Sequence, residues 1–199
     1  MKKVLTALAF AASALALAPA AQGADIYRAV ASGPAESPPN GSPGSSVSTF
    51  EIDGLLMRAE VPFRDLLGTT IDAHIHCCTT EAFTGVAPVA VPLAGFPLQV
   101  TAGTYSNTLD LGDPAVYDPA FLASFGGTPE AASSALFDAI AANEAYVNIH
   151  TSEYPNGEIR GFLVAAPIPE PATWGMLGAG LAGLAVMARR RPRAEAAPA

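Results

Sequence analysis

Residues 146–161 read Tyr-Val-Asn-Ile-His-Thr-Ser-Glu-Tyr-Pro-Asn-Gly-Glu-Ile-Arg-Gly. This stretch predicts a β-hairpin. Val147, Ile149 and Thr151 alternate with Tyr146, Asn148 and His150, and beyond the turn Ile159 and Leu163 alternate with Glu158, Arg160 and Phe162. Pro155-Asn156-Gly157 supplies the turn residues between the arms. The period of two constrains the pairing. With Ile149 and Ile159 both inward, paired residue numbers must have an even sum, because a one-residue slip would turn one arm's apolar set to water. His150 then stands opposite either Glu158 or Arg160 on the other face.

Working outward from this hairpin, Ser48, Phe50 and Ile52 run into Asp53-Gly54, and Leu55, Met57, Ala59, Val61 and Phe63 continue the apolar series on odd positions. This is a second hairpin, with Asp53-Gly54 as its two-residue turn and Ile52 paired with Leu55. Thr69 to His76 reads as a strand, with Ile71, Ala73 and Ile75 on one face and Asp72, His74 and His76 on the other. Asp25 to Ser32 alternates weakly as a first strand. The stretch Gly33 to Ser46, rich in Pro, Gly and Ser, reads as a loop with no packed structure of its own. Cys77 to Val86 is a loop. Val89 to Val100, interrupted by Pro92 and Pro97, suits an edge strand. Two short helices precede the C-terminal hairpin. Asp118 and Pro119 open the first, which carries Phe121, Leu122 and Phe125 and ends at Gly126. Thr128 and Pro129 open the second, whose Ala132, Leu136, Phe137, Ile140 and Ala141 form one stripe at helical spacing.

The two ends of the chain read as addresses. Lys2 and Lys3 precede an apolar run from Val4 to Ala18 and then small residues ending Ala21-Gln22-Gly23, the pattern of a secretory signal peptide over residues 1–23. At the other end, Pro169-Glu170-Pro171 is followed by an apolar stretch from Trp174 to Ala188 and then Arg189-Arg190-Arg191. That stretch is a short membrane span, below the usual ~20 residues. Basic flanks stay cytoplasmic, so everything between the two ends lies outside the cytoplasm. This three-part tail resembles the PEP-CTERM sorting signal of Gram-negative bacteria. The resemblance implies that an exosortase processes the protein near Pro169-Glu170-Pro171 and releases it to the cell surface or the exopolysaccharide matrix, with the C-terminal helix its only membrane contact. Eight residues, Pro192 to Ala199, follow the basic cluster, a longer tail than the pattern usually carries.

Residues 24–166 remain as one domain, long enough to bury a core. It carries sixteen carboxylates against four arginines (Arg28, Arg58, Arg64, Arg160) and no lysine, a net of −12. Such a surface excludes nucleic acid and anionic lipid as partners and favours solubility and cations.

The chemistry-bearing side chains gather in the strands. His74 and His76, two apart, point the same way, and His150 also lies on a face opposite the aliphatic residues. Brought together, His74, His76 and His150 form a three-imidazole site for copper or zinc with an open position. Glu158 would orient the His150 ring if opposite it, whereas Arg160 there would repel a cation. Cys77 and Cys78 follow directly. In an exported protein an even cysteine count invites a disulfide, although adjacent residues hold their Cα atoms only ~3.8 Å apart, below the usual span of a bridge. Three readings stand: a vicinal bridge that stiffens the loop, free thiols adding soft metal ligands beside the histidines, or pairing between chains. The His-x-His of Ile71 to His76 also resembles that of amidohydrolases, but their barrel needs ~250 residues and eight strand-helix alternations. No nucleophile elbow, zincin motif or phosphate loop occurs, and no catalytic residue is assigned.

Taken together, Ala73-His74-Ile75-His76, Tyr146 to Thr151 and Pro155 to Gly161 resemble the CHRD domain, a module named from chordin and widespread in bacterial exported proteins. The resemblance covers about Asp25 to Val164, and Cys77-Cys78 stands where the commoner form has a Gly-containing loop. It implies an all-β fold, an antiparallel, Greek-key-like β-sandwich, here with the short helices inserted before the last hairpin. The placement of His-x-His on one strand and His on another is also similar to copper/zinc superoxide dismutase, without that enzyme's bridging and further zinc ligands. The expected protein is a surface-sorted, non-catalytic binding or matrix component that meets extracellular polysaccharide or surface proteins. The alternative is a copper- or zinc-binding redox or metal-sequestering protein using the three histidines.

Overall fold

A computed structural model describes residues 24–166, 178 and 180–185. Among the described residues of 24–166, nine strands and two α-helices follow one another: β1 (Asp25–Ser32), β2 (Ser45–Asp53), β3 (Leu56–Arg64), β4 (Thr70–His76), β5 (Val89–Pro92), β6 (Gly103–Asp110), α1 (Pro119–Ser124), α2 (Pro129–Ala141), β7 (Tyr146–Thr151), β8 (Ile159–Phe162) and β9 (Val164–Ala165). All pairings are antiparallel, in the order β5-β4-β7-β8-β1-β2-β3-β6, with β9 added to β1. The domain is all-β, as expected. Its sandwich is one sheet curled over on itself. Phe96, just past β5 at one end of the order, stacks on Phe63 of β3 with ring centroids 5.0 Å apart and lies 5.7 Å from Tyr105 of β6 at the other end. Backbone bonds from Leu66 to Thr101 and from Thr70 to Val100 knit the same closure. One core of aliphatic and aromatic residues therefore serves both halves.

The opening hairpin lies near the middle of one half, with β7 between β4 and β8. Ile149 pairs with Ile159, both fully buried, so the pairing sum is even as the alternation requires. Where β8 runs beside β1, Gly161 is the only residue type that fits, because a Cβ there would lie 2.6 Å from the Val30 carbonyl. The helices start where the capping residues place them. Asp118 accepts from the Ala120 and Phe121 amides, and Thr128 accepts from Ala131. Phe121, Ala132, Leu136 and Ile140 are buried against the sheet core, whereas Ala141 of the expected stripe is exposed.

Local pairing departs from the sequence reading in several places. In the β2–β3 hairpin the turn residues are Gly54 and Leu55, not Asp53 and Gly54. Asp53 pairs with Leu56 and Ile52 with Met57, a shift of two residues. The left-handed Gly54 (φ 60°) takes the first turn position, and a shift of two keeps every apolar side chain on its own face, so alternation alone does not separate the two registers. In β4, Ile71 does not join Ala73 and Ile75 in the core. A bulge shifts the β4–β7 register between Thr70 and Asp72, Thr70 goes inward with its hydroxyl on the Pro97 carbonyl (2.7 Å), and Ile71 is 46% exposed. The edge strand β5 ends at Pro92. Strand β6 had no sequence signal, since among its polar residues only Tyr105 and Leu109 turn inward. The Pro-rich segment after β1 is packed after all. Gly33–Ala35 forms a 3-10 turn, and Glu36 and Ser42 are buried.

Among the described residues no helix is long and apolar enough to cross a membrane. The expected signal peptide, Pro169-Glu170-Pro171 and Arg189-Arg190-Arg191 lie outside the described residues, as does most of the 174–188 span.

Candidate metal centre

The pairing of β4 with β7 brings the three histidines together. Asp72 stands across from His150, His74 from Asn148 and His76 from Tyr146, so all three imidazoles share one face of adjacent strands. Ring centroids are 5.1 Å apart for His74 and His150, 5.7 Å for His74 and His76, and 5.9 Å for His76 and His150. One ligand nitrogen from each ring lies within 4.8 Å of the others. The bulge at Ile71 contributes to this placement, because it sets Asp72 opposite His150 and His74 two pairs further on, opposite Asn148.

Each ring is held at one nitrogen and bare at the other. His76 Nδ1 lies 2.9 Å from the Ala87 carbonyl, and His150 Nδ1 lies 2.9 Å from the Pro155 carbonyl. A carbonyl only accepts, so both Nδ1 atoms carry the proton, and Nε2 is left with its lone pair. His74 is held the other way round, with Nε2 3.0 Å from the Asp72 carboxylate and Nδ1 left over. The three remaining nitrogens, His74 Nδ1, His76 Nε2 and His150 Nε2, are buried and have no hydrogen-bond partner. Buried polar atoms are nearly always paired, so three convergent orphans call for a shared partner. Acceptors on the far nitrogen are also the usual outer support of a metal-bound imidazole.

Burial favours the ligating form of His76 and His150. Burial is the main cause that pushes His76 down to about 4, helped by His150, His74 and Arg160 and opposed by the Ala87 bond. Burial likewise lowers His150, with His74 adding to it and the Pro155 bond and Asp72 opposing. Neutral imidazole is what a metal requires. The His76 ring also stacks on Tyr146, at 4.9 Å and an interplanar angle of 1°.

The residues named from sequence fall into two groups. His74, His76 and His150 meet. Cys77 and Cys78 are bonded to each other, Cys77 is wholly buried, and the Cys78 sulfur lies 3.8 Å from the Ala135 carbonyl, so neither offers a thiolate to the histidines. Glu158 and Arg160 are resolved by the register. Asn148 pairs with Arg160, so Arg160 does not stand across from His150, and the ladder ends at Ile149 and Ile159, where the Glu158 amide donates to the Ile149 carbonyl (2.8 Å). Yet the Glu158 carboxylate is engaged elsewhere, by the Ser42 and Thr151 hydroxyls (2.5 and 2.6 Å) and the Leu67 and Gly68 amides (2.6 and 3.1 Å). It is a structural anchor rather than a support for His150. That role falls to the Pro155 carbonyl, which no sequence pattern announces. Asp72 was legible as a same-face neighbour two residues before His74, and its role at His74 Nε2 follows from that spacing.

The CHRD domain family model matches residues 27–163. The PEP-CTERM protein-sorting motif matches residues 167–191. No curated protein and no solved structure matches the chain.

Proposed function

This chain belongs to the CHRD domain family, and from that premise we propose that it is an exported protein whose domain holds one copper or zinc ion on His74, His76 and His150. The C-terminal motif implies export, membrane-anchored transit and processing by an exosortase. Release to the surface or to an extracellular matrix follows from that route. The observation that carries the metal reading is the set of three buried imidazole nitrogens, pointed together and without hydrogen-bond partners. A matrix component with no ion would leave each of them desolvated for nothing, at about 1–3 kcal/mol apiece.

Ligand nitrogens of a tetrahedral zinc site stand about 3.3 Å apart, so His74, His76 and His150, whose nitrogens lie within 4.8 Å of one another, would hold the ion after closing by at most about 1.5 Å. Three nitrogens fill three positions and leave one for water or a small ligand. Imidazole suits both metals, and copper(II) binds nitrogen sites more tightly than zinc does. The protein's own contribution is to orient three rings through Asp72, Ala87 and Pro155, with one nitrogen of each left free.

Metal titration of the purified protein tests this. One equivalent per chain is expected, with copper displacing zinc, and His150→Ala should cut the bound metal to well under half an equivalent. Sub-stoichiometric metal that His150→Ala leaves unchanged would remove the reading.

A further inference from the structure

On the other side of Tyr146 from the metal centre, a cavity of about 700 Å³ opens between β1, β8 and the loop after β4, within the size range of about 300–1,000 Å³ usual for small-molecule sites. Two of the domain's four arginines line it, in a domain with a net charge of −12. Arg160 is 4% exposed and preset. Its Nε donates to the Ala35 carbonyl (2.5 Å) and its Nη1 to the Gly85 carbonyl (2.7 Å), and its guanidinium lies over Tyr146 at 5.0 Å and over Phe162 at 5.6 Å. This leaves the Nη2 protons without a protein acceptor among the described residues. Arg28, on β1, is exposed at the rim.

The apolar wall is equally specific. Phe83 is 56% exposed and sits edge to face against Phe162, with centroids 5.8 Å apart. Its backbone is left-handed (φ 62°), a conformation that bulky residues avoid, and its amide is tied to the Asn143 carbonyl (3.0 Å). The chain thus accepts backbone strain while presenting an aromatic ring to solvent beside a buried guanidinium, a combination that belongs to ligand sites rather than to cores.

We infer that this cavity binds an organic carboxylate carrying a ring with an apolar face, its carboxylate on the Arg160 Nη2 and Arg28 and its ring against Phe83 and Phe162. Guanidinium and carboxylate match in geometry and charge, and ring faces stack on aromatic side chains. Glu36 is the one carboxyl lining the cavity; its Oε2 lies 4.0 Å from Arg160 Nε, and burial lifts it to about 7, so it is only partly ionised at neutral pH. An acidic sugar and an aryl acid share this chemistry.

Calorimetric titration of the metal-free, chelator-treated protein separates this site from the metal centre. The probes are glucuronate, phenylacetate and neutral glucose. Saturable binding of one or both acids is expected with no binding of glucose, and whichever acid binds tighter identifies the source. Phe83→Ala and Arg28→Gln, both at exposed positions, should each weaken binding about tenfold. Absence of acid binding up to about 10 mM, equal binding of glucose, or unchanged affinity in both variants would overturn the assignment.

Discussion

His150 and Thr151 are adjacent on β7 and point to opposite faces, and each belongs to a buried polar cluster. On the Thr151 side everything is paired. The Glu158 carboxylate takes four donors, from Ser42, Thr151, Leu67 and Gly68, and although burial alone would raise its pKa, these bonds outweigh it and hold it below the ordinary glutamate value. On the His150 side one nitrogen of every ring is unpaired. The chain thus shows that it can satisfy a buried polar group completely, close by and with similar means. A closed network fixes a fold, whereas an open one keeps capacity for a ligand. Glu158 ties the segments before and after β2–β3 to the β7–β8 turn, whereas the histidines keep three buried nitrogens unpaired.

The largest effect should come from opening the closed cluster. Glu158→Ala strands two backbone amides and two hydroxyls and should lower stability by about 3 kcal/mol or more, read as a drop in the urea midpoint. A loss under about 1 kcal/mol would erase the contrast between the two clusters. Opening the already open cluster should do much less. In metal-free protein His150→Ala should cost about 1–2 kcal/mol, because only the Nδ1 bond to the Pro155 carbonyl is lost and the unpaired Nε2 goes with the ring. With metal at a hundred times its Kd, the parent should gain about 2.7 kcal/mol and the variant nearly nothing. Equal gains in both would place the metal elsewhere.

The contrast also explains which parts were legible. The hairpin at 146–161, the two helix caps, the alternation of β3 and that of β4 from Asp72 onward are local patterns, and each appears where residue order puts it. Side-chain period also put all three histidines on faces away from the aliphatic residues. Their convergence depends on β4 lying beside β7, a pairing across more than seventy residues of chain that local alternation does not encode. Glu158 was misread for a related reason. Alternation offers it as a support for His150, but its partners Ser42, Leu67 and Gly68 come from segments about ninety residues or more away. The Pro-rich segment around Glu36 looked unstructured because its order comes from contacts with β7 and β8, not from its own composition. Ile71 was placed inward because a bulge leaves no mark on hydrophobic period.

Two smaller effects sharpen the comparison. Asp72 is more than half exposed; one oxygen accepts from the neighbouring Ala73 amide (2.8 Å), which an asparagine oxygen can also do, and the other meets the open cluster through His74 Nε2. Asp72→Asn should therefore leave the metal-free urea midpoint unchanged while weakening metal affinity about tenfold, as loss of an outer acceptor does. An affinity that does not move would mean that His74 is not a ligand.

Glu36 stands between the two behaviours, buried like Glu158 but poorly partnered. Its Oε2 has the Asn148 amide at 3.5 Å and Arg160 Nε at 4.0 Å, and its Oε1 has no partner. Burial is the main cause that raises it to about 7, against the pull of Arg160, the Ser37 amide and Asn148. The folded chain therefore keeps a proton that the unfolded chain gives up near the ordinary value of 4.5. Its contribution to stability is complete below about 4.5 and is lost as pH rises to about 7, the reverse of Glu158. Glu36→Gln, permanently neutral, should flatten the stability profile across that window and gain on the parent as pH rises, with little difference at pH 4. Urea midpoints measured from pH 4 to 8 give the result, and parallel profiles for parent and variant would show that Glu36 ionises freely, as a surface carboxyl does.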